Sequence, residues 1–516
     1  MQLLHLAITL ASIPWYAFGQ MEIPKDLPGD GPVLNSQEVY PNNFIGKSAL
    51  AHPLSPKFRL TPDMISFHQD GGNTRTQDWP APLGLRPQNY SRAMGVQSLY
   101  LGGDGTVLTR MTCNGTTPSF CMAVLDPQSL DPLAFWAPQN QTLVSPYGAF
   151  LENRFIISTA ERFLYEVEIK LEGKQVSFHE ARVVDLTSVT SGLIVSVMYD
   201  GDRNLWFISN SFSAGSEQPV GATIGFVTPN GAIGKMDVHG EVVENSLAIN
   251  GKTAYVLTGP AGPSTNTMSA MGYMYAAEAD LDNLSVTVVW KEAYDAGSSV
   301  KPGGLARGSG SSPVLLGDQF VGFTDNADSQ VNLNIFRQAD AFRQNGTSFV
   351  CKVPLFEPGA SSNENAMVGY FDGDSTYSVV INNNYGNPGM QDPGTDDING
   401  VWNSLASLAP GLDRVDISKI GECSVRWKSS FVSTSGTQFS TKTGLLYGYT
   451  QDKKLAEQGE YVWYYTAVDF DTGDVVWEQL AGVGGVYNNN FQHVLVSPSG
   501  AIYVPVMGGV AWMKDE

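Results

Sequence analysis

The sequence predicts an all-β protein: a β-propeller of eight four-stranded blades, ring closed by an N-terminal strand, with seven blades as the alternative. Three observations carry this. A strand–turn–strand phrase recurs with a base period near 49 residues. Gly makes up 54 of 516 residues, aromatics 11% and charged residues 16%, a composition suited to short strands joined by tight turns. The last copy of the repeat stops one strand short of a full blade.

The repeats run in order as SLYLGGDGTVLTR, GAFLENRFIIS, VSVMYDGDRNLWFIS, SLAINGKTAYVLT, PVLLGDQFVGFT, AMVGYFDGDSTYSVVI, QFSTKTGLLYGYT and VLVSPSGAIYVPV. Each has Asn, Asp, Gly or Ser at its centre, residues that tolerate the positive φ of hairpin turns. Turn centres at 104, 152, 201, 250, 317, 373, 443 and 499 are spaced by 48, 49, 49, 67, 56, 70 and 56 residues. Two more strands follow each hairpin, and the fourth often ends in Trp or another large apolar residue. Strands that are apolar throughout fit blades sandwiched between neighbours. The final hairpin leads only into GGVAWMKDE, a third strand. The missing outer strand is expected from about residues 55–95, an arrangement that removes a sheet edge. The expected organisation is a secretory signal peptide at 1–19, an N-terminal segment contributing the closing strand at 20–95, and the propeller at 96–516.

Lys and Arg number 30 against 51 Asp and Glu, a net charge of −21. That balance argues against nucleic acid, whose binders need a basic face, and against an anionic membrane surface. At 42% hydrophobic residues the chain is globular and not an acidic disordered tail. The apolar stretch Leu3–Phe18 is short, interrupted by Pro14, and followed by a small-x-small pattern at Ala17-Phe18-Gly19, which reads as a secretory signal. Secretion makes disulfides the reading of the four cysteines: Cys113 with Cys121 across a loop, and Cys351 with Cys423. Sequons at Asn89, Asn114, Asn140, Asn283 and Asn345 predict exposed, glycosylated loops, not all of them used.

Within the last full repeat, Ala467-Val-Asp469-Phe-Asp-Thr472-Gly473-Asp-Val-Val-Trp477 reads A-x-D-x-x-T-G-x-x-x-W. Weaker copies end at Trp136, Trp290 and Trp427. The phrase resembles the tryptophan-docking repeat of the quinoprotein alcohol dehydrogenase-like propellers, and the likeness spans most of residues 96–510 as an architectural signal. The resemblance implies that local hydrogen bonds hold the turn at Asp469, Thr472 and Gly473, and that Trp477 packs between blades. It also implies pyrroloquinoline quinone with calcium. This chain lacks the adjacent cysteines that usually cover the quinone in that family, and it has no Cys-x-x-Cys-His haem segment.

Propeller topology places the loops into first strands and the second-to-third loops on one face, and the short hairpin turns on the other. The first face therefore gathers the polar segments: Glu244-Asn245-Ser246, Arg307 to Ser312, Asp325-Asn326-Ala327-Asp328, Asn363-Glu364-Asn365, Asn382 to Asn387 and Tyr487 to His493. His493, Arg307 and Tyr487 are the catalytic candidates: a neutral-range acid or base, a planar carboxylate clamp, and a phenol. Asn245, Asn365, Asn490 and Tyr385 are the substrate-binding candidates. Glu244, Glu364, Asp325 and Asp328 supply hard oxygens for Ca²⁺. The Glu-Asn pairs of VENSLAI and NENAMVG also admit a structural role, bonding the backbone of a neighbouring blade. His239 is a second histidine candidate. Asp-Gly-Asp at 200–202 and 372–374 is explained by hairpin turns. No G-x-S-x-G, H-E-x-x-H or Walker motif is present.

Three functions stay open at this level. One is a secreted enzyme using non-redox acid–base chemistry, of lyase or isomerase type, on a sugar-like, carboxylate-bearing or secondary-metabolite substrate. The second is a calcium-dependent quinoprotein-like oxidoreductase. The third is a non-catalytic propeller that binds a small molecule or carbohydrate.

Overall fold

The computed structural model describes residues 26–27, 43–113, 119–172, 175–212, 219–262, 270–305, 307–388 and 398–516. Its strands form antiparallel four-stranded meanders in chain order. The first seven units span 96–136, 149–185, 194–239, 248–295, 314–354, 368–429 and 438–483. An eighth meander takes three strands from 495–515 and its fourth from Pro87–Ala93, paired antiparallel from Gly509↔Ala93 to Asp515↔Pro87. Units three and four touch through one parallel bridge, Lys235↔Ser285. This is β-propeller architecture.

The local chemistry explains each unit. In unit three Leu205, Trp206 and Phe207 are successive and all fully buried, so both faces of the strand are covered. That needs a neighbour on each side of the sheet. The hairpin turn before it is tied by Asp200, whose carboxylate accepts the Asp202 and Asn204 N–H groups and the Trp206 indole Nε1–H at 2.8–2.9 Å. The Asp-Gly-Asp motif is thus a turn device. Core clusters bridge consecutive units, and one joins Leu495, Ala501, Tyr503 and Val510 of unit eight to Val96, Leu99, Val107 and Leu125 of unit one.

The turn at Asp469 is held as the resemblance implies, with Oδ1 accepting the N–H groups of Asp471 and Thr472. The indole that docks on it comes from the preceding unit. Trp427 lies over Gly473, where a Cβ would stand 2.7 Å from its ring, and its Nε1 donates to the Phe470 carbonyl at 2.9 Å. Trp477 is fully buried between Phe44 and Tyr447.

Both cysteine pairs are bonded, Cys113 to Cys121 and Cys351 to Cys423. The second links the outer strands of units five and six. Two disulfides are compatible with a secreted or extracellular protein. Among the described residues no helix is long and apolar enough to cross a membrane. Asn140, Asn283 and Asn345 are exposed. The Asn89 amide donates to the Leu480 carbonyl at 2.8 Å. Asn114 and residues 1–19 lie outside the described residues.

The N-terminal segment does more than supply an outer strand. Residues 66–77 are buried without a break and run among the first strands of the units. Ile65–Ser66 pairs with unit two. The carbonyls of Gly71, Gly72, Thr74 and Arg75 accept N–H groups from Ile249, Leu315, Gly369 and Phe439, in units four, five, six and seven. Asn73 donates to the Leu247 and Pro313 carbonyls, and Arg75 to those of Thr437, Gly436 and Val494. First strands would otherwise present unpaired edges where they converge, and this segment satisfies them.

Candidate functional site

Above the buried segment lies a central cavity of about 80 Å³, on the side of the loops leading into first strands. Its chemistry comes from Glu244 and Asn245 before unit four, Glu364 and Asn365 before unit six, and Asn490 to His493 before unit eight. Phe67 and His68 of the buried segment form its floor, and Tyr147 and Arg110 complete it.

Each group is positioned by its own loop. In both Glu-Asn pairs the Asn ties its loop to the next unit: Asn245 Nδ2 donates to the Ser309 carbonyl at 3.0 Å, and Asn365 Nδ2 to that of Thr434 at 2.8 Å. The structural role foreseen for the pair therefore belongs to the Asn, although all four residues line the cavity. Asn384 fixes the second pair, its Oδ1 accepting the Glu364 N–H at 2.9 Å. Gly310 makes room for the Glu364 carboxyl, since a Cβ there would sit 2.6 Å from it. Before unit eight, Asn488 and Asn489 bond back into the fold, and Asn490 and Phe491 take left-handed φ of 45° and 65°. That bend carries His493 to the cavity.

The histidines meet at the floor. The His68 and His493 rings lie 5.0 Å apart, each against Phe67 at 5.2 and 5.0 Å. His68 Nε2 is 3.0 Å from Ser312 Oγ, and Tyr147 Oη donates to Asn245 Oδ1 at 3.4 Å. The Nδ1 atoms of both histidines, Asn365 Oδ1 and Gln492 Oε1 are buried with no partner among the described residues. Buried polar atoms left unmatched cost free energy, and here they sit in residues that line one cavity.

Electrostatics divides these groups into two pairs. Burial, then the positive charge of Arg75, holds His68 well below the usual imidazole range. Burial, Arg75 and His68 do the same to His493. Burial, then the Glu364 charge, pushes Glu244 well above the carboxylate range, and burial raises Glu364 to about 8 against the opposing Leu305 backbone hydrogen bond. At neutral pH the cavity therefore holds neutral imidazoles beside carboxylic acids, with burial disfavouring the charged form of each. Arg110 is fully buried, its guanidinium 4.9 Å from the Phe120 ring, and burial brings it down to about 10, so it stays cationic.

Of the sequence candidates, the cavity gathers His493, Glu244, Glu364, Asn245, Asn365 and Asn490. Arg307 is buried outside the lining, with Nε and Nη2 donating to the Gly297 carbonyl at 3.1 and 3.0 Å. Tyr487 is fully buried outside it, its ring against Gly482 and its hydroxyl 3.3 Å from Ser91 Oγ. Tyr385 is also off the lining, its N–H donating to Asn383 Oδ1. His239 ends an outer strand and is exposed. Asp325 accepts from Asn332 and pairs with Lys352 at 2.8 Å, and Asp328 accepts from Ser298. The four acids considered for Ca²⁺ are thus not gathered in the cavity. Among the described residues no three His, Cys, Asp or Glu are placed to hold a metal ion. Calcium takes six to eight oxygens, and this donor set does not fit it.

Sequence reasoning missed His68, Arg110 and Tyr147. Arg110 lies inside the strand Val107–Cys113, and His68 precedes the Asp70-Gly71-Gly72-Asn73 turn of a segment whose path the sequence did not place; only that path brings His68 to His493.

The class defined by the fold is the β-propeller. No protein-family model matches the chain, and no curated protein matches it in sequence. Among solved structures it is similar to Sqt1 from Chaetomium thermophilum, at 9% identity and TM-score 0.45, over 80% of this chain and 93% of that one. A Dos1 propeller aligns at 10% identity and TM-score 0.32, over 70% and 90% of the two chains. A putative 6-phosphogluconolactonase from Bacteroides uniformis aligns at 9% identity and TM-score 0.38, over 74% and 98%.

Proposed function

We propose that the chain is a secreted enzyme, a ring of eight blades closed by Pro87–Ala93, acting by non-redox acid–base chemistry on a small carboxylate-bearing polar molecule in the central cavity. The ring reading is supported by the four-stranded units following one another and by the core shared between units eight and one. One observation carries the activity: two carboxylic acids and two imidazoles share one small cavity with their proton affinities pushed in opposite directions. Such a split assigns acid and base roles.

A neutral histidine, His493 with His68 beside it, takes a proton from the carbon next to the substrate carboxylate. Arg110 balances the substrate charge and the enolate that forms. Glu364, protonated, gives its proton to the leaving oxygen in an elimination, or to the neighbouring carbon in an isomerisation. Asn245 and Asn365 orient hydroxyls. The non-catalytic and quinoprotein readings lack a comparable observation.

The test is deuterium exchange in D₂O, followed by proton NMR, at the carbon next to the carboxylate in a panel of hydroxy acids and uronic acids. Exchange that is lost in Glu364→Gln and His493→Gln supports the reading. Saturable binding of a panel member with no exchange or turnover makes the protein a binding propeller.

A further inference from the structure

The other side of the buried segment holds a second and larger cavity, of about 340 Å³. It is walled by Lys57, Arg59, Asp63, Gln69, Gln77, Asp78 and Trp79 of the N-terminal segment, and by the hairpins of units one and two at Gly103-Asp104 and Glu152. Its size falls in the range of ordinary small-molecule sites, roughly 300–1,000 Å³.

Gln69 is the residue that needs explaining. It is 1% exposed, holds a left-handed φ of 84°, lines this cavity, and neither Nε2 nor Oε1 has a partner among the described residues. Its neighbour His68 lines the other cavity, so the strained turn separates two adjacent side chains onto two sites. An amide with both ends unmatched selects a ligand that donates and accepts at adjacent atoms. A simple cation donates only, and a simple anion accepts only.

The surrounding carboxylates narrow the class. Asp78 already accepts the Lys57 N–H and the Thr441 hydroxyl, Asp104 accepts the Thr106 N–H, and Glu152 pairs with Arg203. Lys57 is paired with Asp70 at 3.2 Å. Asp78, Asp104 and Glu152 keep acceptor capacity for ligand donors, and together with Asp63 they outnumber Lys57 and Arg59, so the wall disfavours an anion. Trp79 and Phe150 add apolar ring surface for a C–H face.

We propose that this cavity is a binding site for a neutral sugar, with Gln69 bonding a hydroxyl pair and Trp79 forming the apolar platform. The chain, with both disulfides formed, is titrated with maltose and with cellobiose by calorimetry and by Trp fluorescence, with putrescine and glucuronate as charged controls. The expected result is saturable binding of a sugar with a fluorescence change. Gln69→Asn keeps a residue that tolerates left-handed φ, and it weakens binding at least tenfold with an unchanged melt. Trp79→Phe keeps the calorimetric signal and loses most of the fluorescence change. Asp104→Asn, at an exposed turn, weakens binding severalfold and serves if Gln69→Asn does not fold. Saturation by neither sugar, binding of putrescine or glucuronate in their place, or wild-type affinity in Gln69→Asn and Asp104→Asn overturns the proposal.

Discussion

The two cavities share one wall and differ in nearly everything else. The central one is about 80 Å³ and holds two acids, two imidazoles and a guanidinium with shifted proton affinities. The one on the turn side is about 340 Å³ and carries Asp78, Asp104 and Glu152 in its wall, the last two exposed to solvent. Burial is the cause of the difference. A tight cavity tunes acids and bases toward chemistry, whereas a roomier one with solvated carboxylates is suited to hydrogen-bonded recognition. The lesson is that the face with short turns is not featureless, because the N-terminal segment builds a site on it.

The strongest way to break the comparison is to remove the wall. Arg75→Met leaves the carbonyls of Thr437, Gly436 and Val494 without their donor. Each such loss costs about 1–3 kcal/mol, a sum comparable with the whole stability of a typical domain, roughly 5–15 kcal/mol. Thermal melts should show a large drop in Tm, and both cavities should lose ligand binding together.

Next in size, His493→Gln and Glu364→Gln should each lower kcat by about 10²–10⁴-fold, the usual contribution of a positioned acid or base. Their melts should stay close to the parent, and sugar binding on the turn side should persist. Loss of sugar binding alongside activity would merge the two sites into one. In the parent, kcat/KM should fall as pH rises through about 8, where Glu364 loses its proton. It should also fall in acid as the histidines become protonated, below the usual imidazole range.

Stability should carry the same signature. A carboxyl raised in the folded state binds its proton there while the unfolded chain has released it, so stability declines as pH rises from the ordinary carboxylate range to about 8. A histidine held neutral when folded works the other way, and stability rises with pH until the unfolded imidazoles are neutral, near 6.5. Above that value only the acid contribution remains. Denaturant midpoints at pH 6.5 and 8.5 should show the decline in the parent and a shallower one in Glu364→Gln.

The smallest effect belongs to the turn side. Arg203→Ala removes an exposed pair with Glu152 and should change stability by about 0.2–1 kcal/mol at most. A larger loss would mean that Glu152 is more tightly coupled to the second cavity than its exposure suggests.

Much of this molecule is written locally. The hairpin turns are legible because Asp200 and Asp469 close them with bonds to residues two to four positions on. The apolar strands follow from period and composition, and compartment with parity pointed to two disulfides, whose connectivity the structure supplies. The Glu-Asn phrases were legible as a pair of equivalent loops, and Glu244, Glu364, Asn245, Asn365, Asn490 and His493 do share a cavity. Propeller geometry brings such loops together whatever their distance in sequence.

Tertiary structure alone decided the rest. Arg307 and Tyr487 carry the right chemistry, yet Arg307 turns to the Gly297 carbonyl and Tyr487 packs on Gly482. Asp325 looks like a metal ligand until Lys352 and Asn332 occupy it. His68, Arg110 and Gln69 sit in no motif. The path of residues 66–77 puts one neighbour in each cavity, and that path is set by hydrogen bonds to strands up to several hundred residues away. Local sequence fixes turns and strands because their bonds are short in sequence. It does not fix which side chain faces which cavity, because that is decided by partners the chain meets only after it has folded.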